Sequence, residues 1–162
     1  MKRKTWIVLT LVGIIVLVGG YLLWNTKILV LQLQNTDRGR TVRFPIKPAE
    51  RFSIYYIHSI YQEPVIEDFE AAPDTIILKG VKTTSDAIRE QHGFDYDKSS
   101  QPTNEKLGAI FLRVAPGEGQ GLILRDKKIY LSEIGARGDR IQLSVRSISL
   151  GPYFFSKFTG AI

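Results

Sequence analysis

Hydrophobic positions change pattern once, near the start of the chain. Residues 6–24, WIVLTLVGIIVLVGGYLLW, form a continuous apolar run without a charge. From residue 27 onward, apolar and polar positions alternate, the period-two pattern of strands that bury one face. In 27–34, KILVLQLQ, Leu29, Leu31 and Leu33 share one side and Ile28 and Val30 the other. Residues 40–46 form a second predicted strand, with Val42 and Phe44 on one face and Pro45 and Pro48 marking its end or a sheet edge. The clearest alternation is in 51–58, where Phe52, Ile54, Tyr56 and His58 share a face. Residues 64–70 answer it with Val65, Glu67 and Phe69, and 74–80 read as a further short strand.

The middle of the chain is less regular. Residues 85–93 predict a short helix, with Ser85 as N-cap and Gly93 as its stop. Residues 94–106 are polar and read as a surface loop. Strands resume at 109–114, a glycine-bearing loop covers 115–121, and 122–124 with 128–131 predict a hairpin about Arg125-Asp126-Lys127. Residues 140–150 alternate through Ile141, Leu143 and Val145. Tyr153, Phe154, Phe155 and Phe158 crowd the tail and are expected to close one end of the core; a partner-docking or membrane-touching patch is the competing reading. Many short strands, frequent turns and at most one short helix near 85–93 predict a mostly β, antiparallel sandwich or barrel-like domain.

The apolar run changes what that domain is attached to. At about 1.5 Å per residue, 6–24 would span roughly 28 Å as a helix, close to the hydrocarbon thickness of a bilayer. Trp6 and Trp24 stand at its two ends, where interfacial aromatic belts lie. Lys2, Arg3 and Lys4 precede it and Lys27 follows, so the positive-inside rule expects residues 1–5 in the cytoplasm and 27–162 outside. The expected organisation is therefore a single-pass cell-membrane anchor at 6–24 carrying an extracytoplasmic β domain. A signal peptide cleaved near Val18-Gly19-Gly20 is the competing reading.

Charge follows the same division. The chain carries 22 basic and 16 acidic residues, a formal +6. Setting aside Lys2, Arg3, Lys4 and Lys27 leaves 18 basic against 16 acidic residues over 28–162, a net +2. A nearly balanced domain lacks the footprint of phosphate-backbone binding, so no nucleic-acid partner is expected. There is no cysteine, which excludes disulfides, thiolate catalysis and thiolate metal ligation.

Candidate chemistry concentrates in 52–69, FSIYYIHSIYQEPVIEDF. Folding 51–58 onto 64–70 sets His58 opposite Val65 or Glu67 according to register, both on an apolar face where a histidine and a carboxylate need partners. His58, Ser59 and Glu67 are the candidate residues for a structural or binding polar site. A Ser–His–Glu hydrolase is not expected, because adjacent residues of an extended chain point to opposite faces and no G-x-S-x-G elbow is present. A metal site from His58 and Glu67 with His92 or Asp68 is a weaker alternative, so no metal and no cofactor are assigned. The 117–121 GEGQG segment lacks the lysine of a phosphate loop, and Arg137-Gly138-Asp139 reads as a turn.

A single N-terminal span, followed by F-x-I-x-Y-x-H-S at 52–59 and P-V-x-E-x-F at 64–69, resembles the small domain-of-unknown-function family 1850. The resemblance singles out His58, Ser59, Pro64, Val65, Glu67 and Phe69. It implies a context beside TAXI-type TRAP transporters, which take up small organic anions, with the permease or its substrate-binding protein as partner. The expected function is a non-enzymatic, membrane-anchored accessory protein. The alternative is an exported small-ligand or metal-binding β module using His58 and Glu67.

Overall fold

The computed structural model describes residues 2–91, 100–115, 117 and 119–158. Its strands are β1 (Lys27–Asn35), β2 (Thr41–Ile46), β3 (Arg51–Ile57), β4 (Pro64–Ala72), β5 (Thr75–Thr83), β6 (Ser100–Leu107), β7 (Ile110–Arg113), β8 (Gln120–Leu124), β9 (Lys127–Tyr130) and β10 (Arg140–Ser149). The helices are α1 (Lys2–Asn25), α2 (Asp86–Gln91) and α3 (Leu150–Phe158), with a 3-10 turn at Leu131–Glu133.

Two compact units divide the chain. One comprises residues 1–28 and 147–162, and the other residues 29–146. In the first, α1 contains one stretch long and apolar enough to cross a membrane, Trp6–Asn25, with a mean hydropathy of 2.5 and none of it buried. The Thr26 carbonyl beyond α1 accepts from Leu150 N at 2.8 Å, so α3 starts where α1 ends.

In the second unit the strands form two antiparallel sheets, in the orders β2-β1-β10-β7 and β6-β5-β4-β3-β8-β9. The expected mostly β, antiparallel fold is thus present, as a sandwich. Leu31, Leu33, Ile141, Leu143 and Val145 of the smaller sheet share one buried cluster with Phe52, Ile54, Phe69, Ile76, Leu122 and Leu124 of the larger. Phe52 and Phe69 stand directly opposite in the β3–β4 ladder and stack with centroids 5.4 Å apart. Truncating one such buried Leu, Ile or Phe to Ala costs about 2–5 kcal/mol. A second cluster forms where Ile88 of α2 packs with Val65 and Val81 of β4 and β5.

Edges are made from residues that discourage further pairing. Pro45 lies in β2, at one edge of the smaller sheet. The polar segment expected as a loop over 94–106 is a strand from Ser100 onward, at the edge of the larger sheet. Pro102 pairs opposite Gly80 there, beside a register shift between Leu78 and Gly80. An edge strand has only one neighbour to satisfy, so SQPTNEKL is held by backbone pairing without an alternating apolar face. Residues 94–99, with Gly93 and His92, lie outside the described residues.

The aromatic tail also departs from expectation. Among its described side chains Tyr153 is buried, at 7% exposure, while Phe154 and Phe155 are 46% and 70% exposed. They belong to α3, in which Pro152 falls in the first turn, where its missing N–H costs a helix nothing.

Candidate functional site

The β3–β4 ladder runs through Phe52↔Phe69, Ile54↔Glu67 and Tyr56↔Val65 to Ile57↔Pro64. This register fixes the fate of the predicted polar pair. His58 lies one residue past β3, and its N–H donates to Glu63 O at 2.9 Å. The expected placement of His58 opposite Val65 or Glu67 therefore does not occur. Glu67 lies opposite Ile54, four positions back from His58, or about 13 Å along the strand.

His58 begins a tight loop. Gln62 N donates back to His58 O at 2.8 Å, and Gln62 takes a left-handed φ of 54° to re-enter the ladder. The Gln62 side chain donates to Ser59 O at 2.7 Å. His58 Nδ1 faces the amides of Ile60 and Tyr61 at 3.4 and 3.5 Å, long contacts. Its ring stacks on Tyr61 with centroids 5.0 Å apart. His58 is thus half-buried, and Ser59, Ile60 and Tyr61 are exposed at the loop.

Glu67 has another partner. Its Oε1 accepts from the Tyr56 hydroxyl at 2.9 Å, a diagonal contact on the core-side face. Burial, then the Glu67 charge and this hydrogen bond, push the Tyr56 phenol well above its ordinary range. Ser53 and Asp68 use the opposite face: Ser53 Oγ donates to Asp68 at 2.6 Å, and Lys82 pairs with the same carboxylate at 2.6 Å. Burial alone would raise the Asp68 carboxyl, but Lys82 and Ser53 outweigh it and hold it below the usual range.

Beside the β3–β4 loop lies a cleft of about 840 Å³. It is lined by Tyr56, Ile57, His58, Ser59 and Gln62 from β3 and its loop, and by Arg113, Ala115, Gly119, Gln120 and Arg137 from later in the chain. Two contacts hold lining residues in place. Gln120 Oε1 accepts from Ala115 N at 3.0 Å, and Arg113 Nη1 donates to Gly138 O at 3.2 Å. Gln120 and Gly121, expected in a loop, instead open β8, where Tyr56 pairs with Gln120 and Tyr55 with Gly121.

Comparison with protein families, with curated proteins and with solved structures returns no match to this chain. The cleft has to be read from its own chemistry.

His58 and Ser59 line the cleft, while Glu67 stands behind it, linked through Tyr56. Arg113 and Arg137 supply two guanidinium groups, and the described lining contains no acid. Planar guanidinium donors recognise carboxylate and phosphate oxygens in forked pairs, with Gln and Ser as neutral donors. Among the described residues no group of three or more His, Asp or Glu stands ready to hold a metal ion. Sequence reading missed both arginines as site residues, because they sit at the end of β7 and in the turn before β10 and come to line one cleft with His58 only in the folded sandwich.

Proposed function

We propose that the chain is a non-enzymatic, membrane-anchored module whose outer β domain binds a small organic anion in the Arg113–Arg137 cleft. The observation that carries this reading is the cleft itself, lined by two arginines together with His58, Ser59 and Gln62 and with no acid among its described lining residues. Its volume of about 840 Å³ falls within the range of small-ligand sites. The cationic residues 2–4 ahead of the apolar stretch of α1 support a cytoplasmic N-terminus and an extracytoplasmic sandwich. The likeness of 52–59 and 64–69 to family 1850 adds the wider setting: an accessory to a TAXI-type TRAP uptake system, in contact with its permease or its substrate-binding protein.

The test is thermal denaturation of the full chain in detergent against a panel of small mono- and dicarboxylates and matched amides. A true ligand at a hundredfold excess over Kd stabilises by about 2.7 kcal/mol through mass action. The carboxylates should raise the Tm and the amides should not, and Arg113→Gln with Arg137→Gln should erase the shift. Equal shifts in that double variant would reject the cleft. Co-purification with a co-expressed TRAP permease tests the wider setting, and consistent separation of the two proteins would count against it.

A further inference from the structure

The unit that contains α1 carries a second apolar feature. Helix α3 begins at Leu150, whose N–H donates to Thr26 O at 2.8 Å, immediately after α1 ends at Asn25. Its first turn touches α1: a Cβ on Gly151 would stand 2.9 Å from Trp24 Cε3. Tyr153 turns inward and meets Phe154 edge-on at 5.9 Å. Phe154 and Phe155 remain 46% and 70% exposed, beside a last α1 turn in which Leu22, Leu23 and Trp24 are 58%, 49% and 62% exposed.

We infer that α3 is an interfacial helix, seated with Phe154 and Phe155 at the headgroup–acyl boundary of the bilayer that α1 crosses. Three observations select lipid as the occupant. The exposed aromatics adjoin the end of the apolar span, at the depth where a bilayer passes from hydrocarbon to headgroup. Trp24 and Tyr21 at that end, with Tyr153, Phe154 and Phe155, have the composition of an interfacial aromatic belt. The α3 sequence, LGPYFFSKF, contains one lysine and no acid, which suits a short amphipathic segment on an anionic surface.

The inference rests on α1 spanning a membrane, and one experiment separates the two claims. The chain has no cysteine, so single-cysteine variants of the full protein carry one label each. Phe155→Cys, Leu17→Cys and Asp126→Cys are labelled with an environment-sensitive fluorophore and reconstituted into phosphatidylcholine–phosphatidylglycerol vesicles. The vesicles carry nitroxide quenchers either near the headgroup or deep in the acyl chain. The label at 155 should shift to the blue and be quenched most by the shallow nitroxide. The label at 17 should be quenched most by the deep one, and the label at 126 by neither. If 17 is quenched and 155 behaves like 126, the interfacial helix is rejected and the anchor stands. If 17 is not quenched, the anchor fails and this inference with it. Self-quenching at 155 without nitroxides would assign the patch to a second copy and also overturn the inference. Phe154→Cys provides a second reporter should Phe155→Cys disturb the helix.

Discussion

The Tyr56 hydroxyl donates to Glu67 Oε1 at 2.9 Å across the β3–β4 ladder, tying the end of β3 to the middle of β4. Tyr56 touches both apolar clusters, so the bond is made where its loss is felt. Tyr56→Phe should lower stability at neutral pH by about 1.5–3 kcal/mol, the range for a hydrogen bond to a charged acceptor. Its pH dependence is equally specific. Burial, followed by Glu67, raises the Tyr56 phenol, so the folded chain keeps a proton that the unfolded chain releases above about 10. That contribution is fully present below this pH and is lost as pH rises beyond it. Denaturant melts across the alkaline range should show a decline in the parent protein that Tyr56→Phe reduces; an identical decline in both would reject the assignment.

A second polar junction joins the end of β1 to the start of β10, neighbouring strands of the smaller sheet. Asn35, fully buried, donates to Asp139 Oδ2 at 2.8 Å and accepts at Oδ1 from the amides of Asp37 and Arg38 at 3.0 Å. The same Asp139 oxygen accepts from Ala136 N at 2.9 Å and from Arg38 Nε at 2.6 Å. The Asn35 hydrogen bond leads, partly opposed by burial, and with Ala136 and Arg38 it holds the Asp139 carboxyl below the usual range. Asn35→Ala should cost about 1–3 kcal/mol by removing the hydrogen bonds of a fully buried side chain. A lowered carboxylate contributes stability above its unfolded pKa, near 4, and loses it as pH falls through the folded value. Asp139→Asn should therefore flatten the acid limb of the stability profile, and an unchanged limb would contradict the network.

These junctions mark the boundary of what the sequence discloses. Alternation in 27–34, 51–58 and 64–70 placed Leu31, Leu33, Phe52, Ile54, Val65 and Phe69 correctly in the core, because burial of one strand face is written at period two. The loop register was not legible. A single residue separates a strand ending at Ile57 from one ending at His58, and the turn is closed by Gln62 at positive φ without glycine. β6 was hidden because an edge strand can be polar throughout and contain proline. The arginine cleft depends on strand order, in which β8 crosses to pair with β3, and no local pattern encodes that order.

Gly121 presents a steric prediction. A Cβ there would stand 2.6 Å from Ile129 O and 2.7 Å from the Tyr55 hydroxyl, whose ring covers the glycine and carries Lys128 Nζ 5.6 Å from its centroid. An aromatic laid over a strand glycine shields the exposed ladder, and the glycine is needed for the close approach. Gly121→Ala should cost about 1–3 kcal/mol, as overpacking does. Adding Tyr55→Ala should not abolish that cost, because the Ile129 carbonyl belongs to the paired β9 backbone and cannot rotate away. Chemical denaturation of the two single variants and the double variant tests this; full additive rescue would show that the tyrosine alone makes the contact.

His58 separates a loop-shaping role from a ligand-binding one. Its imidazole stacks on Tyr61 and faces two loop amides at long range, while its backbone closes the turn through Glu63 O and Gln62 N. Because the backbone bonds survive substitution, His58→Ala should lower stability by only about 0.5–1 kcal/mol, in the range of a weak side-chain hydrogen bond. His58→Asn should recover part of that loss, since an asparagine oxygen accepts from amides two and three residues onward in an Asx turn. In the carboxylate thermal-shift assay both variants should bind more weakly than the parent, because each alters the cleft lining that His58 shares with Arg113 and Arg137. Loss of stability beyond about 3 kcal/mol in His58→Ala would instead place the ring in the fold's central polar framework. Unchanged carboxylate shifts in both variants would restrict recognition to the arginine side of the cleft.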